Sequence, residues 1–242
     1  MNIPKNSIYH SILQNIICRL HIPTICVLCR HYHDQSTIIC SWCKDLLQKI
    51  SNPCMYCSLP LPDKHFLVCG YCLRKKPIFD RVITNYMFVE PLRTLIHKFK
   101  YQHALYLRDF LVQLMLEACE HQIMDAECLI PVPLYKRRLR RRGFNQASEL
   151  AKKLSSKLKI AYDNNICKKN INTLSQVGLN AADRYANLRN SFVVTPIKYK
   201  YVVIVDDLIT TGSTANEMAI SLKNQGVERV DLICCARAIV NL

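Results

Sequence analysis

Four cysteine pairs with the spacing Cys-x-x-Cys constrain the first 78 residues of this 242-residue chain more than any other feature. Ten, ten and eleven residues separate successive pairs. Two thiolates that flank a tight turn reach one Zn²⁺ at about 2.3 Å, and two such turns complete a tetrahedral site. The pattern therefore predicts two structural zinc ions, with the ligands Cys26, Cys29, Cys40, Cys43, Cys54, Cys57, Cys69 and Cys72.

The pairs can be shared between two ions in two ways. We prefer the sequential arrangement, in which the first and second pairs bind one ion and the third and fourth pairs bind the other. A short helix predicted over 41–50 would place the second pair at its start, where the helix dipole favours thiolates. A crossed arrangement, first pair with third and second with fourth, is the alternative. A redox or disulfide role is disfavoured in the cytosol, where thiols stay reduced.

The charge of the chain is strongly positive, with 33 Lys and Arg residues against 18 Asp and Glu residues and a formal net charge of +15. Such an excess favours polyanionic partners, either nucleic acid or phosphorylated ligands. No apolar run approaches the roughly 18 to 20 residues that a transmembrane segment needs, and no signal-peptide cleavage site is apparent. We therefore expect a cytoplasmic protein, which would reach the inner face of the membrane only through partner proteins.

Two domains are expected, because the cysteine pairs stop near residue 78 and alternating strand and helix patterns begin there. Residues 1–78 would form a double zinc-ribbon module with a short N-terminal helix, and residues 79–242 an α/β domain. Hydrophobic periodicity predicts helices over 107–118, 147–158 and 214–225, and strands over 128–133, 201–205 and 230–236. The last strand, helix and strand predict a right-handed βαβ unit with parallel strands.

The chemistry is concentrated where the strand over 201–205 ends in Asp206, Asp207 and a hydroxyl-rich turn. In an open α/β sheet, ligands bind at the carboxyl ends of the strands. Backbone N–H groups of 210–214 can converge on a phosphate at the start of the next helix, and Gly212 permits a close approach. The two carboxylates can accept hydrogen bonds from the vicinal hydroxyls of a ribose.

Residues 202–214 resemble the signature of type I phosphoribosyltransferases that binds 5-phosphoribosyl-1-pyrophosphate (PRPP). That signature has four hydrophobic residues, two acids and a phosphate loop containing Thr-Gly. The resemblance implies a parallel sheet flanked by helices, acids that bind the ribose 2′- and 3′-hydroxyls, and Mg²⁺ bound together with PRPP. The implied PRPP-binding residues are Val205, Asp206, Asp207, Thr210, Thr211, Gly212, Ser213 and Thr214.

Further motifs are Pro131-Val-Pro-Leu134, Arg138, Arg142-Gly-Phe-Asn-Gln146, Thr173, Gln176, Leu179, Arg184, Asn187 and Ile96-His-Lys-Phe-Lys-Tyr101. Together they resemble the ComF family, competence-associated phosphoribosyltransferase-like proteins that carry an N-terminal double zinc ribbon. This resemblance implies that Arg184 and Asn187 also contact PRPP, from a loop that closes over the site. Lys169 stands where the family usually has arginine, which leaves the ligand contact at that position open.

Six basic side chains fall within the seven residues 136–142. We expect this stretch to be a loop that binds pyrophosphate or nucleic acid, through Lys136, Arg137, Arg138, Arg140, Arg141 and Arg142. Arginine is suited to this role because its guanidinium can bind two phosphate oxygens at once. Asp206, Asp207, Arg138 and Arg142 are the candidate catalytic residues if the domain is an enzyme.

Two classes of function remain open for this fold. The ComF resemblance implies a PRPP- and Mg²⁺-binding protein that handles single-stranded DNA during natural transformation, with competence proteins such as the DNA-uptake helicase or channel as partners. The alternative is a purine or pyrimidine salvage enzyme, or an amido-type phosphoribosyltransferase, which transfers phosphoribose to a nitrogen nucleophile. The resemblance leans towards a type I phosphoribosyltransferase activity with an unspecified acceptor. Fold alone does not decide between the two classes.

Overall fold

This computed structural model describes residues 24–119, 122–169 and 191–239. The predicted N-terminal helix and several residues that carry the ComF resemblance lie outside these ranges. Those residues are Thr173, Gln176, Leu179, Arg184 and Asn187. The roles expected for Arg184 and Asn187 therefore stay predictions.

Close contacts between Cα atoms divide the chain into two compact units, Met1–Leu47 and Gln48–Leu242. The third and fourth cysteine pairs thus belong to the same unit as the residues of the α/β domain. The predicted boundary between two domains near residue 78 differs in position from this division and stays a prediction. Within the described residues, no helix is both long enough and apolar enough to cross a bilayer.

The described part of the first unit is small and rich in turns. Two short strands, β1 (Thr24–Ile25) and β2 (Tyr32–His33), pair in antiparallel fashion, and helix α1 (Ser41–Asp45) follows them. The helix is shorter than the predicted range 41–50. It ends early because Lys49 instead forms an antiparallel β-bridge with Tyr86, which requires an extended backbone.

The described part of the second unit contains six further α-helices and nine strands. Its helices are α2 (Gly70–Arg74), α3 (Leu92–Tyr101), α4 (Arg108–Cys119), α5 (Lys136–Arg142), α6 (Gln146–Leu158) and α7 (Ser213–Lys223). Its strands are β3 (Arg81–Ile83), β4 (Cys128–Pro131), β5 (Ala161–Tyr162), β6 (Cys167–Lys169), β7 (Phe192–Val194), β8 (Tyr201–Val205), β9 (Leu208–Ile209), β10 (Arg229–Ile233) and β11 (Ala236–Arg237).

A five-stranded parallel sheet with the order β3-β10-β8-β4-β5 forms the centre of this unit. Strand β8 lies in the middle and all five of its residues are buried. A strand that is covered on both faces reads as a continuous apolar run, which explains the sequence Tyr-Val-Val-Ile-Val. The predicted α/β fold with a parallel sheet is therefore confirmed.

Helix α7 connects β8 to β10 and packs its apolar side on the sheet. Ala215, Met218, Ala219 and Leu222 are buried in the same core cluster as β8 and β10. The chain leaves the helix through Gly226, whose φ of +89° is a conformation that glycine adopts without strain. The predicted order of strand, helix and strand is confirmed, but the last strand ends at Ile233 rather than at residue 236, because Ala236–Arg237 pairs separately with β9.

The basic stretch 136–142 is helix α5, so the predicted loop is wrong. Lysine and arginine have high helix propensity, and Gly143 ends the helix in a left-handed conformation with a φ of 77°. The absence of apolar periodicity concealed this helix from sequence reasoning. Arg138 and Arg142, which are four residues apart, share a face and are half-buried, whereas the other four basic side chains are exposed.

Candidate functional site

The candidate site begins where the central strand β8 ends. The backbone N–H of Asp206 donates to the carbonyl of Ile233 at 3.0 Å, and the carbonyl of Asp207 accepts from Cys235 N–H at 3.2 Å. These bonds fix the backbone of both acids to the neighbouring strand β10 and the residues after it. Asp207 is buried and Asp206 is half-buried. The acid pair thus lies at the carboxyl edge of the sheet, as predicted.

Lys100, near the end of α3, supplies the positive charge that this acid pair needs. Its Nζ lies 3.0 Å from Oδ1 of Asp207, and both side chains are largely buried. In the sequence, Lys100 belongs to the motif that spans residues 96–101, which by itself predicts no role for this lysine. The spacing of Lys100 from Asp207 along the chain carries no signal of this contact, because only the tertiary fold brings α3 to the end of β8.

The pKa values of Asp206 and Lys100 are both shifted from their ordinary values. Burial, and then the charge of Asp207, raise the pKa of Asp206 to about 8, although Lys100 opposes the rise. Burial lowers the pKa of Lys100, but the charges of Asp207 and Asp206 outweigh this effect and the pKa lies above its ordinary value. Two carboxyls and one ammonium therefore share a poorly hydrated space, and the second carboxyl holds its proton near neutral pH.

Lys169 extends the site from β6. Burial and the charge of Arg138 lower the pKa of Lys169 to about 8, against the opposing charge of Asp206. Its ammonium also lies over an aromatic ring, 5.3 Å from the ring centre of Phe192. A lysine here keeps a positive charge next to the acid pair, but it lacks the planar fork of the arginine that the resemblance led us to expect.

The predicted phosphate loop, Thr210–Thr214, curves between β9 and α7. Gly212 has a φ of +77°, and a Cβ at this position would lie 3.4 Å from Cε1 of Phe79. The hydroxyl oxygens of Thr211 and Ser213 are 2.8 Å apart. A small cleft opens beside them, and it is lined by Asp206, Leu208, Ile209, Thr210, Thr211, Gly212, Ser213, Thr214, Ala215 and Leu232.

This geometry can bind an anion and a sugar next to each other. Helix α7 starts at Ser213, so the first N–H groups of the helix, which have no partner within it, face the loop region. Asp206 lines the same cavity as the loop. The structure thus brings together the acid pair and the phosphate loop that the sequence predicted, whereas their ligand contacts stay predictions.

Helix α5 is joined to this site through α3 and α6. Nη2 of Arg142 donates to the hydroxyl of Tyr101 at 3.2 Å, and Nη1 donates to Oε1 of Gln146 at 3.2 Å. Nε2 of Gln146 donates in turn to the carbonyl of Lys100 at 3.1 Å. Arg142 therefore anchors the helix beside Lys100, and the catalytic role expected for Arg142 stays a prediction.

The eight cysteines of the pairs form two clusters, and the grouping is the sequential one. Cluster I contains Cys26, Cys29, Cys40 and Cys43, and cluster II contains Cys54, Cys57, Cys69 and Cys72. Within each cluster the four Sγ atoms lie within 4.8 Å of one another. The crossed grouping that we considered as the alternative is not the one formed.

The sulfur atoms are spaced for a tetrahedral metal. Sγ of Cys29 lies 3.8 Å from Sγ of Cys40, and Sγ of Cys57 lies 3.7 Å from Sγ of Cys69. Four sulfurs at about 2.3 Å from one Zn²⁺ would be separated by about 3.8 Å. In cluster II the N–H of Cys69 also points at Sγ of Cys54 at 3.3 Å, a contact that favours thiolate. Both clusters are thus consistent with zinc ribbons.

The parallel sheet, the acid pair at the end of its central strand and the phosphate loop define a phosphoribosyltransferase domain, and the profile of the family described as Phosphoribosyl transferase domain matches residues 139–240. Competence protein F of Haemophilus influenzae is 38% identical over 223 residues, which cover 88% of this chain and 96% of that protein. The chain belongs to the ComF family.

Similarity extends to proteins with a second name. DNA utilization protein YhgH of Escherichia coli strain K12 is 34% identical over 234 residues, which cover 91% of this chain and 100% of that protein. The same-named protein of Salmonella typhimurium is 32% identical over 234 residues, with the same coverage. These similarities span the cysteine clusters as well as the phosphoribosyltransferase domain, since they cover most of the chain.

The pKa of Asp206 predicts how the ligand-free protein responds to pH. An unfolded aspartate loses its proton near pH 4, whereas folded Asp206 keeps it up to about pH 8. Between these values the folded state binds more protons, so this residue lowers the free energy of unfolding as the pH rises. Replacing Asp206 by Asn should flatten the decline between pH 5 and pH 7.5, measured by urea denaturation at about 0.5-unit steps.

Asp63→Asn removes an exposed acid outside the site and serves as the control, which should decline as the wild type does. An equal decline in Asp206→Asn and wild type would show that burial does not hold a proton on Asp206.

Proposed function

We propose that the second unit binds PRPP with Mg²⁺, and that the protein acts in the uptake and handling of single-stranded DNA. The observation that carries the first part is that Asp206, the first residue of the acid pair, lines the same cavity as the loop Thr210–Thr214. The ribose would lie over the acids with its 2′- and 3′-hydroxyls donating to the carboxylates, and the 5′-phosphate would accept from N–H groups and hydroxyls of the loop.

The oxygen ligands that the acid pair and a bound PRPP would offer fit Mg²⁺. Carboxylate oxygens and phosphate oxygens are the hard ligands that Mg²⁺ prefers, and the ion usually bridges a protein carboxylate and the phosphates of a substrate. When bound together with PRPP, Mg²⁺ would offset the negative charge of the pyrophosphate. Lys100 holds Asp207 in place with its ammonium, and Lys169 adds positive charge on the side of Asp206.

Helix α5 supports the second part of the proposal. It exposes Lys136, Arg137, Arg140 and Arg141. These positive side chains repel one another, and the phosphates of a nucleic acid would reduce that repulsion. The names of the relatives, a competence protein and DNA utilization proteins, agree with such a partner. The half-buried Arg138 is close enough to Lys169 to act on its pKa, so the same helix also offers charge for the pyrophosphate.

Binding of PRPP should raise the stability of the protein. With Mg²⁺ present and PRPP at about 100 times its Kd, the gain in free energy of unfolding is about 2.7 kcal/mol, measured as a rise in Tm. The double substitution Asp206→Asn with Asp207→Asn should abolish the rise, because the amides cannot replace the charged acceptors of the ribose hydroxyls.

A matched control removes two acids elsewhere, Asp63→Asn with Glu228→Gln, both of them exposed. It should keep the full rise in Tm. A rise that persists in the Asp206 and Asp207 variant would place PRPP somewhere other than this cavity.

Single-stranded DNA should bind through the outer face of α5 with a strong dependence on salt. Each phosphate contact to a single strand contributes about 0.7 to the slope of log K against log salt concentration. Replacing Arg137, Arg140 and Arg141 by Gln should therefore lower the slope by about 2, measured by fluorescence anisotropy with a labelled oligonucleotide.

Replacing the exposed residues Lys64, Lys152 and Lys157 by Gln removes the same charge from other positions, and this control should change the slope less. Equal losses in both triple variants would indicate a diffuse effect of net charge rather than contacts made by α5.

We propose that each cysteine cluster holds one structural Zn²⁺, with no position left for a reactive water. The purified protein should contain two zinc ions per chain by mass spectrometry of metals. Cys40→Ser in cluster I and Cys69→Ser in cluster II should each lower the content to one ion, whereas Cys18→Ser, outside both clusters, should leave two. A full content of zinc in both cluster variants would contradict the assignment.

A further inference from the structure

Arg237, in β11, is a buried cation near the candidate site that no part of the PRPP-binding scheme uses. Only 1% of its surface is exposed. Its Nε donates to the carbonyl of Cys57 at 2.9 Å, and its Nη1 donates to the carbonyls of Thr210 and of Ala238, the latter at 2.6 Å. Among the residues that the structure describes, it forms no ion pair with a carboxylate.

These hydrogen bonds join two functional elements. Cys57 belongs to cluster II, and Thr210 is the first residue of the phosphate loop. Cys57 and Thr210 lie far apart in the sequence, yet the guanidinium of Arg237 donates to the backbone carbonyls of both. Arg237 also bonds the carbonyl of Ile209, at 3.4 Å, which lies just before the loop. The side chain of Arg237 therefore fixes the backbone at the start of the phosphate loop. The carbonyl of Cys57 in turn fixes the position of that side chain.

The charge of Arg237 needs a partner. A buried charge without compensation is strongly destabilising, and carbonyl dipoles offset only part of this effect. Zn²⁺ bound by four thiolates carries a net charge of about −2. A metal-filled cluster II would supply the missing negative charge through a ligand whose carbonyl Arg237 already contacts. Cluster II and Arg237 would thus stabilise each other.

We propose that Arg237 couples the metal state of cluster II to the phosphate loop, so that a filled cluster II is required for tight binding of the 5′-phosphate of PRPP. This inference rests on the proposed binding of PRPP and zinc. Arg237 is a positioning residue, since it acts through the carbonyl of Thr210 and touches no ligand. Cluster I belongs to the other compact unit, and its metal is not part of this coupling.

The experiment measures Kd by calorimetry for two probes, PRPP with Mg²⁺ and pyrophosphate with Mg²⁺, on the full chain. Cys69→Ser and Arg237→Gln should weaken PRPP at least about tenfold, the equivalent of one charge-assisted hydrogen bond. Pyrophosphate lacks the 5′-phosphate, so its Kd should not change. Cys40→Ser, the matched cysteine of cluster I, should keep both wild-type Kd values, and Arg237→Lys should lose less affinity for PRPP than Arg237→Gln.

A second measurement does not depend on the folding of variants that disrupt cluster II. Coupling between two sites is reciprocal, so PRPP should slow the release of zinc from cluster II to a colorimetric chelator. The Cys40→Ser protein, which retains only cluster II, reports this rate directly. Cys69→Ser, which retains only cluster I, should release its zinc at the same rate with and without PRPP.

Any of three results would overturn the coupling without removing the proposed PRPP binding. The first is a wild-type Kd for PRPP in folded Cys69→Ser and Arg237→Gln proteins, and the second is a rate of zinc release from Cys40→Ser that PRPP does not change. An equal weakening of PRPP and pyrophosphate would also overturn it, because general damage to the cavity would explain both losses. Failure of the wild-type protein to bind PRPP at all would instead remove the proposed function.

Discussion

The burial of β8 on both faces is the constraint on which the rest of the second unit depends. A parallel strand between two parallel neighbours must be apolar along its whole length, and polar residues can follow only where it emerges at the edge of the sheet. The acid pair stands at that point. The same geometry aligns the start of α7 with the acids, so one packing requirement places both the carboxylates and the phosphate loop.

Burial of charge at this edge shapes the chemistry that the site can perform. Lys100 forms an ion pair with Asp207, whereas burial, and then the charge of Asp207, raise the pKa of Asp206. A ligand that brings hydroxyl donors and a divalent cation would relieve this imbalance. The raised pKa of Asp206 therefore lowers the stability of the folded protein near neutral pH.

Much of this arrangement could be predicted from the sequence, because its signals are local. The Cys-x-x-Cys spacing predicted two clusters, and the apolar run before Asp206 predicted the central strand. The structure describes both. Lys100 and Arg237 could not be predicted in their roles, since their contacts join segments far apart in the chain. The helix at 136–142 was missed because basic residues carry no hydrophobic periodicity, although their helix propensity is high.

The two faces of α5 differ in their contacts with the rest of the second unit. Arg142 on its inner face is bound to Tyr101 and Gln146, and Gln146 holds the carbonyl of Lys100. The outward side chains make no comparable contribution to packing, since they are exposed. Evolution can therefore vary the number and kind of outward charges, and with them the strength of attraction to a polyanion, without disturbing the geometry beneath.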